Sequence, residues 1–85
     1  MSITAQFEEA VKNANSLTER PSNEDLLKIY GLYKQATEGD NNTERPGCFD
    51  FKAAAKYNAW ANLKGTSNEE AMQQYIDLIN RLKSA

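Results

Sequence analysis

Eighty-five residues allow one small domain, since a chain of this length buries roughly 60% of the surface its unfolded form exposes. A hydrophobic fraction of 40% and a charged fraction of 26% exclude a disordered chain, and a net charge of −2 argues against broad affinity for nucleic acid or an anionic membrane surface. Histidine is absent, which removes Ser-His-Asp and Cys-His catalysis, the usual zinc sites and the commonest general base near neutral pH.

Cys48 is the only cysteine, so no intramolecular disulfide can form, and a reducing compartment is expected. We read it as a small apolar filler, since its thiolate lacks a histidine to activate it. No apolar run approaches the roughly 18 residues of a membrane span. Residues 1–20 lack the basic start and apolar core of a secretory signal, so the expected location is cytoplasmic.

Ile3, Phe7, Ala10, Val11, Ala14 and Leu17 recur in steps of three and four, which predicts an amphipathic helix over about 3–16. Pro21 then disfavours helix in the residue before it. Ser22, with Asp25 three places later, resembles a capping box and opens a second helix over 23–38. Its apolar residues, from Leu26 to Ala36, cover more than one face. Gly31 interrupts it at a propensity cost of roughly 1 kcal/mol relative to Ala. Gly39 is placed to end it in a left-handed conformation.

Residues 40–48 form a loop rich in Asp, Asn, Thr, Pro and Gly, long enough for an overhand crossing between the second and third helices. Asp50 can cap the third helix, expected over 51–64, with Ala53, Tyr57, Trp60 and Leu63 inward and Lys56 flanking them at about −60° from Ala53. Gly65 ends it. Ser67-Asn68-Glu69-Glu70 reads as a full capping box for a fourth helix over 68–84, striped by Met72, Tyr75, Ile76, Ile79 and Leu82. The chain therefore predicts an all-α four-helix bundle in one domain spanning residues 1–85.

Tyr30, Tyr33 and Lys34 project from neighbouring turns of one side of the second helix. Two aromatic plates, two hydroxyls and a fixed positive charge suit a flat anionic ligand such as a nucleotide. The same spacing also suits half-buried tyrosines with their hydroxyls in water and a solvated lysine. Lys56 and Tyr75 add a second lysine and a third tyrosine from the other helices. Lys52 and Lys56 form a like-charged i, i+4 pair whose repulsion a bound anion would relieve. Arg45, in its Pro-Gly turn, suits local pairing as well as a phosphate. The acids at 8, 9, 24, 25, 69 and 70 read as dipole partners or solvated faces.

The run Tyr30-Gly31-Leu32-Tyr33-Lys34-Gln35-Ala36-Thr37, then Gly39-Asp40 and Asn42-Thr43-Glu44-Arg45-Pro46-Gly47, resembles the acyl-CoA-binding protein family. Asp50-Phe51-Lys52, Lys56, Ala59-Trp60 and Leu63-Lys64-Gly65-Thr66-Ser67 continue the likeness in the same order, so it covers essentially the whole chain. The resemblance implies an up-down-down-up bundle. It also implies a non-catalytic, monomeric cytoplasmic carrier and buffer of medium- to long-chain acyl-CoA thioesters. No metal, cofactor, nucleic acid or stable membrane insertion is implied. A helical interaction module docking onto an acyl-CoA-using enzyme is the alternative.

By motif position, the resemblance gives Tyr30, Lys34 and Lys56 to the 3′-phosphate of CoA, Tyr33 to the adenine, and Tyr75 to closing the nucleotide site. It gives Phe7, Ala10, Val11, Leu26 and Leu27 to the shelter of adenine and acyl chain, with Lys52 beside them. The chain departs from the family pattern at Asn15 and Ala54, where many members have lysine, and at Tyr57, where tryptophan is usual.

Overall fold

A computed structural model describes residues 2–47 and 49–84. Cys48, read from sequence as a filler, lies outside the described residues. Four helices follow in order: α1 (Ile3–Asn15), α2 (Asn23–Glu38), α3 (Phe51–Ala61) and α4 (Asn68–Ser84). No strand occurs among the described residues.

Local chemistry sets most of the helix ends. Ser2, Ser22, Asp50 and Ser67 each accept a hydrogen bond from the backbone N–H three residues on, at 3.1–3.2 Å. These bonds satisfy donors that a helix start leaves unpaired. Gly39 closes α2 at φ +82°, and its N–H donates to the Gln35 carbonyl at 3.1 Å. The third helix stops at Ala61, three residues short of the sequence expectation. Beyond it the N–H groups of Leu63, Lys64 and Thr66 donate to carbonyls three residues back. That pattern tightens the chain into turns with the same apolar spacing as a helix.

The core joins Phe7 and Ala10 of α1, Leu32 and Ala36 of α2, and Ala71, Tyr75, Ile76, Leu78 and Ile79 of α4. Helix α4 packs against α1 and α2, while α3 packs against α2 alone. Lys56 lies over Tyr30, and Trp60 beside Lys34, so residue numbers rise together along α2 and α3. The two helices are therefore parallel. By contrast, Asp25 meets Arg81 and the Gln35 carbonyl meets Asn68, which makes α4 antiparallel to α2. The bundle is up-down-down-up, with an overhand loop between α2 and α3.

A polar cluster fixes that crossing. Gln35 is fully buried, and its Nε2 donates to Asp40 Oδ1 and the Thr66 carbonyl, both at 2.8 Å. Gly65 N–H donates to the same Asp40 oxygen at 2.9 Å, and Trp60 Nε1 to the Gly39 carbonyl at 2.7 Å. Asn68 Nδ2 reaches the Gln35 and Ala36 carbonyls at 3.2 and 2.8 Å. The end of α2, both following loops and the start of α4 are thus tied at one point.

Candidate functional site

Tyr30, Lys34 and Lys56 converge on one concavity of about 320 Å³ between α2, α3 and the overhand loop, walled also by Pro46, Tyr57 and Trp60. Parallel packing makes this possible, because residues 30–34 of α2 lie level with 56–60 of α3. Lys56 Nζ sits 5.4 Å from the centre of the Tyr30 ring, and Lys34 Nζ 5.5 Å from that of Trp60. Both ammonium groups therefore rest on aromatic faces, a favourable placement that holds cations without neutralising them.

Lys34 also has a fixed anionic partner. Its Nζ donates to Glu38 Oε2 at 2.7 Å, one turn along the same helix. The hydrogen bond to Glu38 raises the lysine pKa above its ordinary value, partial desolvation opposes this, and the carboxylate charge adds to it. Glu38 and Glu44 both line the concavity, so an incoming anion meets two acids as well as two lysines.

Tyr33 and Tyr75 lie on the adjoining flank, where Phe7 joins them. Phe7 stacks on Tyr33 with centroids 6.0 Å apart and meets Tyr75 edge-on at 5.0 Å. Tyr33 remains 41% exposed, leaving ring surface for a planar ligand, whereas Tyr75 is buried. Burial pushes the Tyr75 hydroxyl pKa up, and the nearby Tyr33 adds to the effect, so it stays a neutral group.

The remaining predicted residues are dispersed. Phe7 and Ala10 are buried in the core, Val11, Leu26 and Leu27 are half-buried, and Lys52 is exposed outside the concavity. A larger cleft of about 850 Å³ opens on the far side of α2, between α3 and α4. Leu27, Leu32, Ala59, Leu63 and Leu78 line it, and Leu27 alone is shared with the predicted set. Lys28 and Arg81 line it opposite Glu24 and Asp77, and Arg81 already pairs with Asp25 at 3.2 Å. The concavity brings two lysines and the Tyr30 hydroxyl together; the larger cleft has the greater volume.

Sequence reasoning missed Glu38, although its i+4 spacing from Lys34 was visible. It also missed the loop residues Asn41 and Thr43, which line the concavity. Asn41 Nδ2 donates to the Tyr57 carbonyl at 3.3 Å, and its Oδ1 accepts from the Thr43 N–H and hydroxyl at 3.0 and 2.6 Å. The first bond holds the overhand loop against α3, and the other two brace the loop itself. No periodic signal marks such a loop contact.

Residues 4–79 match the sequence profile of the family described as Acyl CoA binding protein. The chain belongs to the acyl-CoA-binding protein family.

Among its relatives, acyl-CoA-binding domain-containing protein 6 of Arabidopsis thaliana is 51% identical over 82 residues, covering 96% of this chain and 89% of that protein. The acyl-CoA-binding protein of Saccharomyces cerevisiae is 49% identical over 80 residues, covering 94% and 92%. The crystal structure of Oryza sativa acyl-CoA-binding protein 2 superposes with a TM-score of 0.93 at 44% identity, covering 98% of this chain and 92% of that one. Of the departures from the family pattern, Tyr57 keeps an aromatic wall in the concavity, Asn15 ends α1 in solvent and Ala54 is half-buried. Among the described residues no group of three or more His, Cys, Asp or Glu could hold a metal ion.

Proposed function

We propose that this protein binds medium- to long-chain acyl-CoA thioesters and acts as a non-catalytic intracellular carrier and buffer. The observation that carries the reading is the pair of lysines from separate helices, Lys34 and Lys56, meeting Tyr30 at one concavity in a chain of this family.

A ribose 3′-phosphate carries more than one negative charge near neutral pH, and two ammonium groups with one hydroxyl supply charge-assisted donors for it. Each such bond contributes about 1.5–3 kcal/mol. Tyr33, exposed beside Phe7, offers a face for the adenine, and Tyr75 supports that face from beneath. Val11, Leu26 and Leu27, with the stem of Lys52, would shelter the acyl chain at about 0.8 kcal/mol per buried methylene. Phe7 and Ala10 back this surface from the core. A site using both ends of the ligand prefers acyl-CoA to CoA and to free fatty acid.

Isothermal titration with palmitoyl-CoA, CoA and palmitate tests this. Palmitoyl-CoA is expected to bind far more tightly than either part. If it binds no better than CoA, the carrier reading fails. Thioester cleavage that scales with protein through purification would overturn the non-catalytic part alone.

A further inference from the structure

Helix α3 walls two separate hollows. Ala53, Lys56, Tyr57 and Trp60 line the lysine-lined concavity, whereas Ala55, Asn58, Ala59 and the capping Asn62 line the larger cleft. The two linings share no residue. Successive residues of a helix turn by about 100°, so one helix can serve both sides. The close approach of Gly31 to the Ala59 backbone lies between them.

The cleft exists because α3 and α4 both pack on α2 and not on each other. Leu27 and Leu32 of α2 form its floor, and Leu63 and Leu78 add apolar surface from either side. Phe51, 78% exposed, stands one turn before Ala55 on the same side of α3, so the apolar row continues past the cleft into solvent. At about 850 Å³ the cleft has the volume of a small-molecule site, about 300–1,000 Å³.

Its charges cancel in place. Because α4 runs antiparallel to α2, with Arg81 on Asp25, Glu24 stands level with Arg81 and, one turn on, Lys28 stands level with Asp77. Asp77 also accepts from Gln73 Nε2 at 3.0 Å. An ion entering the cleft meets a like charge for every opposite one. The remaining polar lining is Asn58, Asn62 and Gln74, whose amides carry donors and acceptors without charge. None of these three side chains forms a hydrogen bond to another described residue.

We propose that this cleft is a second ligand site, distinct from the lysine-lined concavity, and that it takes an uncharged amphiphile: a hydrocarbon tail with a hydroxyl, ester or amide head. The tail lies on the leucine floor between α3 and α4, and the head meets the free amides at the rim. Such an occupant joins two helices that do not touch, and it stabilises the fold by binding the folded state alone. The site stands on the cleft itself and not on the carrier reading.

The test titrates the protein with 1-decanol, decanoate and decyltrimethylammonium, which share a tail and differ in head charge, while amide signals are followed by NMR. Decanol is expected to shift the signals of Asn58, Asn62 and Gln74 saturably and to raise the thermal midpoint. The two ions should bind there at least about fivefold more weakly. Ala55→Trp fills the cleft from a half-buried position and should weaken decanol at least about tenfold. Asn58→Asp, at an exposed position that tolerates the change, should weaken it about fivefold by placing a charge at the rim. Saturating palmitoyl-CoA should leave decanol in place. Displacement by palmitoyl-CoA but not by CoA would overturn the proposal and give the cleft to the acyl tail of the first ligand. Unsaturable shifts, equal binding of the three probes, or decanol binding untouched by both variants would also overturn it. Failure of palmitoyl-CoA to bind at all would sink the carrier reading and leave the decanol result standing.

Discussion

Gly31 of α2 lies against the backbone of Ala59 in α3: a Cβ on this glycine would stand 2.6 Å from the Ala59 carbonyl oxygen and 2.9 Å from its carbonyl carbon. A backbone carbonyl cannot rotate aside as a side chain can. Gly31→Ala would regain about 1 kcal/mol of helix propensity, but the overpacking costs about 1–3 kcal/mol, and at this distance we expect the upper part of that range. The net result is a lower thermal midpoint by circular dichroism, by about 4–8 °C per kcal/mol for a domain of this size. A raised midpoint would mean that α3 can shift outward without loss.

Glu38 holds Lys34 in the absence of ligand, so it competes with any phosphate at that lysine. The exposed ion pair itself is worth only about 0.5 kcal/mol. Glu38→Gln should therefore leave stability nearly unchanged and tighten acyl-CoA binding by about three- to tenfold, most at low salt where repulsion is least screened. Titration at two ionic strengths checks both the sign and the salt dependence.

Lys34→Ala and Lys56→Ala should each weaken binding by about 1–3 kcal/mol through loss of a charged hydrogen bond. If both read the 3′-phosphate, a dephospho-CoA ester should lose little further affinity on either variant. A full additional loss on the shortened ligand would place the lysines elsewhere along it.

Asp40 accepts from the Gly65 N–H and from Gln35, and these bonds, the first foremost, hold its carboxyl pKa below the ordinary 3.8. The folded value is the lower one, so the contribution to stability is complete above the unfolded pKa and is lost as pH falls through the folded one. Asp40→Asn keeps an acceptor oxygen and removes the titration. The variant should lose less stability than the wild type as pH falls below about 4, measured by urea denaturation at stepped pH.

Gln35→Glu changes one atom and reverses the role of that atom. Its Nε2 now donates to Asp40 and the Thr66 carbonyl; a carboxylate there faces only acceptors, one of them charged. The loss should be about 3–5 kcal/mol at neutral pH, as for an uncompensated buried charge. It should shrink as the pH is lowered and the new carboxyl protonates.

The bundle was legible in the sequence because its signals are local. Ser22, Asp50, Ser67 and Gly39 punctuate the helices as their chemistry requires, and the excess of apolar faces on α2 is explained by its two neighbours, α3 and α4. The end of α3 was not legible, because turns with three-residue bonds carry apolar residues at nearly the same spacing. At the site, spacing grouped Tyr30, Tyr33, Lys34, Lys56 and Tyr75 in one ring. The structure divides them, since residues 30 and 33 differ by about 60° around the helix and face different neighbours. Tyr30 turns toward Lys56, and Tyr33 toward Phe7 and Tyr75. The fixed pairing of Lys34 with Glu38 also lay beyond spacing alone, because an i+4 acid shows opportunity and not occupancy.

The third helix has α2 as its sole helical support, yet it contributes Lys56 to the concavity. On the proposed reading, a phosphate held by Lys34 and Lys56 would act as a cross-brace between the best-anchored helix and the least-anchored one. Occupancy and local rigidity become one equilibrium: amides of α3 should exchange first with solvent in the empty protein and gain the most protection on loading. A loaded carrier would then differ from an empty one in the stiffness of one helix, a difference that an enzyme receiving the acyl group can sense without reading the ligand itself.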